Sequence, residues 1–395
     1  MHVALLSHEY PPFIFGGVGT SVSNLARGLK KKGVEVTIIS GYPVFSPATK
    51  NLIEVKRKSE EMNVIRLPYL NIPPRHIIFQ GINLKRLYNA VKSLDVDIIH
   101  AQSGCAFPAL LSLKNLAPVV VTFHTNPKTL KTISSHSLTR GGSIGDIYTY
   151  LIGYPIWTYT YGKEFKGSDV SVAVSRTLME ELTSQIRCNG RRKTRWIYNG
   201  VDIESLEKEC PVTCLDTREE PMALFGGRLY WSKGVLNLLE LGYLLQEKYH
   251  CPLRIAIHGS GPLSKRIKSG VKNLGLNNIV LQEFNRAEFM KNMRKASFIV
   301  IPSFYEACPM LLLEGMCLGK IPVMFDLPYA REFTKNGKYG ILTKNIRDMA
   351  AKIAAVCEKG DEEHVGKEMQ EYARERYDIN ETASKYLGLY RELLN

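Results

Sequence analysis

The stretch FIVIPSFYEACPMLLLEGMCLGKIPVMF, residues 298–325, decides the architecture of the chain. It opens on an apolar, β-branched run, Phe298–Pro302, of the length and composition of a strand buried on both faces. A loop with Ser303, Phe304, Tyr305 and Glu306 follows, and then a helix is expected over Met310–Leu318. Gly319 stands where a left-handed residue closes a helix, and Ile321–Phe325 reads as a second buried strand. Strand, helix and strand in that order make a parallel crossover unit.

The same grammar continues outward from this unit. In the second half, strands are expected at Met222–Phe225, Leu253–His258 and Ile279–Leu281, with helices at Gly234–Tyr249, Pro262–Leu274 and Arg286–Lys295. Pro262 suits a first helical position, Gly275 a helix end, and Asn285 with Glu288 a capping box. The first half has expected strands at Val3–Ser7, Val34–Ser40, Val64–Leu67, Asp97–His100, Val119–Thr122, Val170–Val174 and Trp196–Tyr198. A helix from Gly19 to Lys32, stopped by Gly33, links its first two strands. The reading is α/β, with two Rossmann-like parallel-sheet domains over 1–205 and 206–375. A final amphipathic helix, 376–395, then carries Tyr386, Leu387, Leu389, Tyr390 and Leu393, which need a surface to cover.

Length and composition agree. At 395 residues the chain suffices for two cores, and 45% hydrophobic with 23% charged residues is ordinary for a globular protein. The run after Met1 is too short for a signal peptide, and no apolar run reaches the ~20 residues that span a bilayer. A cytoplasmic protein is expected, peripheral at most to the inner face of a membrane. The eight cysteines are scattered, and only Cys210 and Cys214 lie close, so reduced, mostly buried thiols are expected rather than a zinc site. Of the net charge of +14, residues 1–205 carry +11, which points to an anionic partner or surface for that half.

Ligands of open parallel sheets bind beyond the carboxyl ends of the strands. There, the loop Gly226–Gly234 holds Arg228 and Lys233, a fork and a point charge that suit a diphosphate. A glycine turn with solvated charges fits the same residues. Gly259-Ser260-Gly261 at a helix start admits a phosphate or a base edge, or is a plain tight turn. Glu306 and Glu314 bracket the amides of the helix that starts at Met310, an arrangement for a phosphate between two hydroxylated rings. The plainer alternative is a capping acid and a helix-surface acid.

In combination, Gly227-Arg228-Leu229 with Lys233-Gly234, the glycine turn, and Glu306 with Glu314 followed by Gly319-Lys320-Ile321-Pro322-Val323 resemble the donor site of the family 4 retaining glycosyltransferases. The first half resembles the same family through Pro11-Pro12, Gly16-Gly17-Val18-Gly19, Thr122-Phe123-His124, Val174-Ser175 and Asn199-Gly200-Val201-Asp202. The resemblance implies a GT-B architecture with an interdomain cleft. It implies transfer of a sugar, with retention, from a nucleoside-diphosphate-sugar donor to a lipid-linked, glycan or small-molecule acceptor. Arg228, Lys233 and the amides of Met310 and Leu311 would hold the diphosphate, Glu306 the transferred sugar and Glu314 the ribose. Gln282–Arg286 would lie near the base, and Gly259 and Gly261 would complete the donor site. Gly16 and Gly17 would approach the phosphate and reacting sugar, His124 would line the cleft, and the last helix would cross back onto the first domain. Neither cofactor nor metal is implied, since fixed cations and a helix terminus meet the departing charge. A non-catalytic scaffold and a nucleotide-sugar epimerase of the same architecture are the rival readings. Ala307-Cys308-Pro309 stands where the family often has Gly-Phe-Gly, so the donor sugar is left open. Asp326–Glu332 replaces a glycine-rich turn, with Glu332 at the common acidic position.

Other signals carry less. Asp95 and Asp97 form an Asp-x-Asp pair of the kind that binds metal in a different glycosyltransferase fold, but at the amino end of a strand it reads as structural. His100, at the other end, reads as a packing or cleft-lining residue. The segment 147–161 holds five tyrosines, a tryptophan and no charge; Gly153 and Pro155 interrupt it, and core packing is expected over a membrane-interface role. The basic runs Arg27–Lys32, Lys56–Lys58 and Arg191–Arg195 suit an anionic membrane, a phosphorylated acceptor or plain solvation. They are dispersed and match no nucleic-acid module.

Overall fold

Buried β-branched runs with no polar face pair in parallel, covered by helices on both sides. The computed structural model describes residues 1–14, 16–44, 62–70, 75–107, 109–138, 149–186, 193–210, 221–360 and 362–395. They form two units, Met1–Gly200 with Ile379–Asn395, and Val201–Asp378.

The first unit holds β1 (His2–Ser7), β2 (Glu35–Val44), β3 (Asn63–Leu70), β4 (Ile98–Gln102), β5 (Val119–Phe123), β6 (Val170–Ala173) and β7 (Lys193–Trp196). They pair in parallel in the order β3-β2-β1-β4-β5-β6-β7. Val3 faces Val36 on one side and Ile98 on the other, so the order reverses between β1 and β4. That reversal opens a crevice at the carboxyl ends of these strands. The helix Gly17–Lys31 buries Val22, Leu25, Ala26 and Leu29 against the sheet, and Gly33 follows it at φ 78°. The last helix, Ile379–Leu394, joins the same core through Ala383, Tyr386, Leu389 and Tyr390. A buried polar chain fixes it there. His100 Nδ1 lies 2.6 Å from the Tyr390 hydroxyl and Nε2 lies 2.7 Å from Thr122 Oγ1. Thr122 Oγ1 is in turn 2.9 Å from the Tyr386 hydroxyl. Burial, and then His124, lower the His100 imidazole to about 3, so it packs as a neutral ring.

The second unit holds β8 (Met222–Gly226), β9 (Arg254–His258), β10 (Ile279–Gln282), β11 (Phe298–Ile301), β12 (Ile321–Phe325) and β13 (Ile341–Thr343). All are parallel, in the order β10-β9-β8-β11-β12-β13. The crossover that decided the fold is β11, the helix Met310–Cys317 and β12, with Val300 facing Val323.

Local differences from the sequence reading have physical causes. Ile197 and Tyr198 are buried but lie beyond the last ladder pair, Ala173 with Trp196, so their apolar character marks packing and not a strand. The expected helix Gly234–Tyr249 starts late, as an α-helix at Asn237–Tyr243 that passes into a π turn at Leu244–Lys248, and a separate 3-10 turn at Trp231–Lys233 ends at Gly234. Gly234, at φ 62°, cannot belong to a right-handed helix. Pro262 is not a first helical position: the helix starts at Ser264, whose hydroxyl bonds both the N–H and the carbonyl of Gly261. β13, three residues long, is too short to show a period. Cys105, Cys210, Cys251, Cys308 and Cys317 are buried, while Cys214 lies outside the described residues. Among the described residues no helix is long and apolar enough to cross a membrane.

Tyr390→Phe removes the partner of a fully buried imidazole nitrogen and adds no compensating contact. It should cost about 1–3 kcal/mol of first-unit stability. Chemical denaturation read by a probe in that unit checks this, and an unchanged midpoint contradicts it.

Candidate functional site

Three loops of the second unit meet at the carboxyl ends of β8, β9 and β11. Gly227 N–H donates to the His258 carbonyl at 2.9 Å and Leu229 N–H to the Ser260 carbonyl at 3.0 Å, laying the first loop along the second. A Cβ at Gly259 would stand 2.0 Å from the Gly227 oxygen. One at Gly234 would stand 1.8 Å from the Pro302 oxygen, which ties the first loop to the third. Contacts this close admit only glycine. Phe304 N–H closes the frame on the Ser232 carbonyl at 3.0 Å.

The charges sit on this frame. Lys233 Nζ donates to Glu306 Oε1 at 2.6 Å, and Ser303 Oγ donates to the same oxygen at 2.7 Å. Arg228 is exposed, its guanidinium 5.5 Å from the centre of the Tyr230 ring. The helix Met310–Cys317 starts after Pro309 with no side-chain cap, so the amides of Met310 and Leu311 are first-turn donors without intrahelical acceptors. Glu314 is buried on that helix and is held by the fork of Arg286, with NH1 to Oε2 at 3.0 Å and NH2 to Oε1 at 3.2 Å. Arg286 Nε also donates to Glu209 at 2.7 Å. Burial opposes the Arg286 charge, and the two carboxylates outweigh it and raise its pKa. Each of the two site glutamates therefore has its own cation, which the sequence pattern alone did not show. Beyond Gln282, Phe284 is 52% exposed and leans on Phe289 with ring centres 5.3 Å apart. Asn285 caps the next helix through the Glu288 N–H at 3.1 Å.

In the first unit, the loops after β1, β4 and β5 carry the remaining residues. Glu9 is buried, and its Oε2 accepts the Gly16 N–H at 2.9 Å, which holds the Gly16–Gly17 turn at the start of its helix. His8 Nε2 lies 3.2 Å from the other Glu9 oxygen. His124 Nε2 lies 2.6 Å from Gln102 Oε1, so with the amide oriented this way Nε2 carries the proton. Burial lowers the His124 imidazole to about 4, with Glu9 raising it and His8 lowering it. Glu164, fully buried, accepts the N–H groups of Gly104, Ala106 and Phe107 at 2.6, 2.9 and 2.9 Å and so shapes the loop after β4. Burial pushes its carboxyl up to about 7 against the pull of those amides.

Glu9, Gln102, Glu164, Ser303 and the pairing role of Arg286 are not evident from the motifs. Glu164 alone left a trace, as the lone acid of the aromatic stretch 147–168. The Asp-x-Asp pair is structural: Asp97 Oδ2 accepts the His2 N–H at 2.7 Å, and Asp95 turns at φ 47°. Among the described residues no group of three or more His, Cys, Asp or Glu side chains is placed to hold a metal. Lys56–Lys58, Arg191 and Arg192 lie outside the described residues.

Known proteins match this frame along nearly its whole length. The Glycosyltransferase Family 4 model matches residues 15–205, and the Glycosyl transferases group 1 model matches residues 215–376. An uncharacterised glycosyltransferase of Methanocaldococcus jannaschii is 26% identical, over 99% of this chain and 98% of its own. Sucrose-phosphate synthase of Thermosynechococcus elongatus superposes with a TM-score of 0.76 at 17% identity, over 100% of this chain and 99% of its own. HepE of Anabaena, solved in complex with UDP-glucose, superposes with a TM-score of 0.69 at 18% identity, over 100% of both chains. The chain belongs to the family 4 glycosyltransferases and has the two Rossmann-like parallel sheets of the GT-B fold.

Proposed function

We propose that the chain transfers a hexosyl group from a nucleoside diphosphate to a lipid-linked, glycan or small-molecule acceptor, with retention at the anomeric carbon and without a metal. The observation that carries this reading is the Lys233–Glu306 pair beside the uncapped helix start at Met310.

Breaking a glycosyl–phosphate bond adds one negative charge to a diphosphate that already carries two, until that phosphate takes up a proton. Groups already fixed in place stabilise that charge without reorganising during the reaction. Arg228 supplies a fork, Lys233 a point charge with three donors, and Met310 and Leu311 supply amides at the positive end of a helix. Lys233 can keep Glu306 with one N–H and take a phosphate oxygen with another. Glu306 then accepts from hydroxyls of the transferred sugar. Glu314, aimed by the fork of Arg286, accepts from the ribose. Gly259 and Gly261 keep the neighbouring backbone low enough for the nucleotide to lie close. In the first unit, this reading gives the reacting sugar to His124 and to the Gly16–Gly17 backbone that Glu9 holds. Retention follows if the departing phosphate takes the acceptor proton on the face it leaves.

Arg228→Ala and Lys233→Ala should each weaken nucleoside-diphosphate binding by about tenfold or more, which is ~1.4 kcal/mol, with the fold intact. Calorimetric titration with UDP, ADP and GDP measures it, and undiminished affinity removes that residue from the site. A chelator should leave transfer unchanged in the same preparation, and NMR of the product should show the donor's anomer. A free sugar released as its epimer, with no acceptor consumed, would instead mark an epimerase.

His124 should act as a neutral ring. With its imidazole lowered to about 4, it stays uncharged from pH 5.5 upward, and its contribution is lost only as pH falls toward 4. The pH profile of kcat/KM is therefore expected to show no His124 limb near 6.5. A limb there that disappears in His124→Gln contradicts this.

A further inference from the structure

The helix Tyr154–Gly167, with the π turn Thr149–Gly153 before it, has two unlike faces. One is core, as expected from its aromatic sequence: Tyr161 and Phe165 are buried, with ring centres 5.3 and 5.5 Å from that of Phe123. The other face departs from that expectation. Leu151 is 62% exposed, Ile152 47%, Ile156 41% and Tyr159 58%. Ile152, Ile156, Tyr159, Lys163 and Lys166 follow the three- and four-residue spacing of one helical stripe, and both lysines are exposed. Lys163 Nζ lies 5.3 Å from the centre of the Tyr159 ring, so the apolar and cationic parts of the stripe adjoin.

Among the described residues, the charge that adjoins the stripe is basic. The neighbouring helix Pro127–Leu138 adds Lys128 and Lys131, and Lys131 Nζ lies 5.2 Å from the centre of the Tyr150 ring. The acids that approach these helices are committed elsewhere. Glu164 is buried against three amides, and Glu181 accepts from Asn126 Nδ2 at 3.0 Å and Thr129 Oγ1 at 3.2 Å. Large exposed aliphatic side chains, a tyrosine at their border and lysines next to it match an acyl boundary, a headgroup layer and anionic phosphates in turn.

We propose that the stripe formed by Ile152, Ile156, Tyr159, Lys163 and Lys166, with Leu151 beside it, docks the chain on an anionic membrane surface. This locates the partner of the basic first half on described residues, and it holds whether or not the donor reading does. Aliphatic insertion supplies the grip and the lysines supply the preference for acidic lipid, a preference that salt weakens over a Debye length.

The test is co-sedimentation of the full chain with vesicles of phosphatidylcholine containing phosphatidylglycerol, and with vesicles of phosphatidylcholine alone. The chain should partition onto the acidic vesicles at least about tenfold more strongly, and less so at higher salt. Ile152→Ser with Ile156→Ser should lower binding to acidic vesicles by about tenfold or more, with the wild-type circular dichroism and melting temperature. Lys163→Gln with Lys166→Gln should lower the preference for acidic over neutral vesicles. Equal, weak sedimentation of the wild-type chain with both vesicles overturns the proposal. So does a double variant of either kind that, still folded, sediments like the wild type.

Discussion

An ammonium 2.6 Å from a carboxylate, Lys233 to Glu306, joins two loops that leave different strands, and the candidate donor chemistry of the second unit depends on it. With the carboxylate 11% and the lysine 26% exposed, neither group is fully hydrated, so each needs the other. The pair also decides what the loops can do next. A lysine satisfied by one carboxylate oxygen still has two N–H donors, and a departing diphosphate is the kind of anion that draws them. Ser303 holds the shared oxygen from the other side, which fixes where the remaining carboxylate oxygen lies.

The backbone makes this pairing possible. The carbonyls of Gly227 and Pro302 stand where the Cβ of any other residue at Gly259 and Gly234 would be. The loops after β8, β9 and β11 therefore pack backbone on backbone, with no side chains between them. In the first unit the equivalent task falls to carboxylates: Glu9 holds the Gly16 amide, and Glu164 gathers three amides of the loop after β4. One unit shapes its loops by removing side chains, the other by buried acceptors.

How much of this is legible in the sequence follows from the range of each interaction. The crossover 298–325 is readable because a buried parallel strand, a helix and a glycine stop each leave a local pattern. Arg228, Lys233, Glu306 and Glu314 are readable because they punctuate such patterns at loop positions. The partner of each is not. Arg286 finds Glu314 across 28 residues and Lys233 finds Glu306 across 73, and nothing local marks either distance. The late helix after Gly234 hides for a related reason: its apolar spacing is helical throughout, and only the required φ of Gly234 and the π turn depart from it. The segment around Tyr154–Gly167 is misread for the opposite reason, since an aromatic run signals burial without saying which of its residues face out.

The central claim is that Lys233 is held by Glu306 for use on a diphosphate, and titration of Glu306→Gln with UDP, ADP and GDP tests it most directly. The amide keeps the shape and the Ser303 contact but removes the counter-charge. The account predicts nucleoside-diphosphate affinity equal to or above that of the wild type, with sugar transfer lowered by about a hundredfold or more. Loss of nucleoside-diphosphate binding in a folded Glu306→Gln variant would contradict it, because the carboxylate would then be supporting the fold of the site and not restraining its lysine.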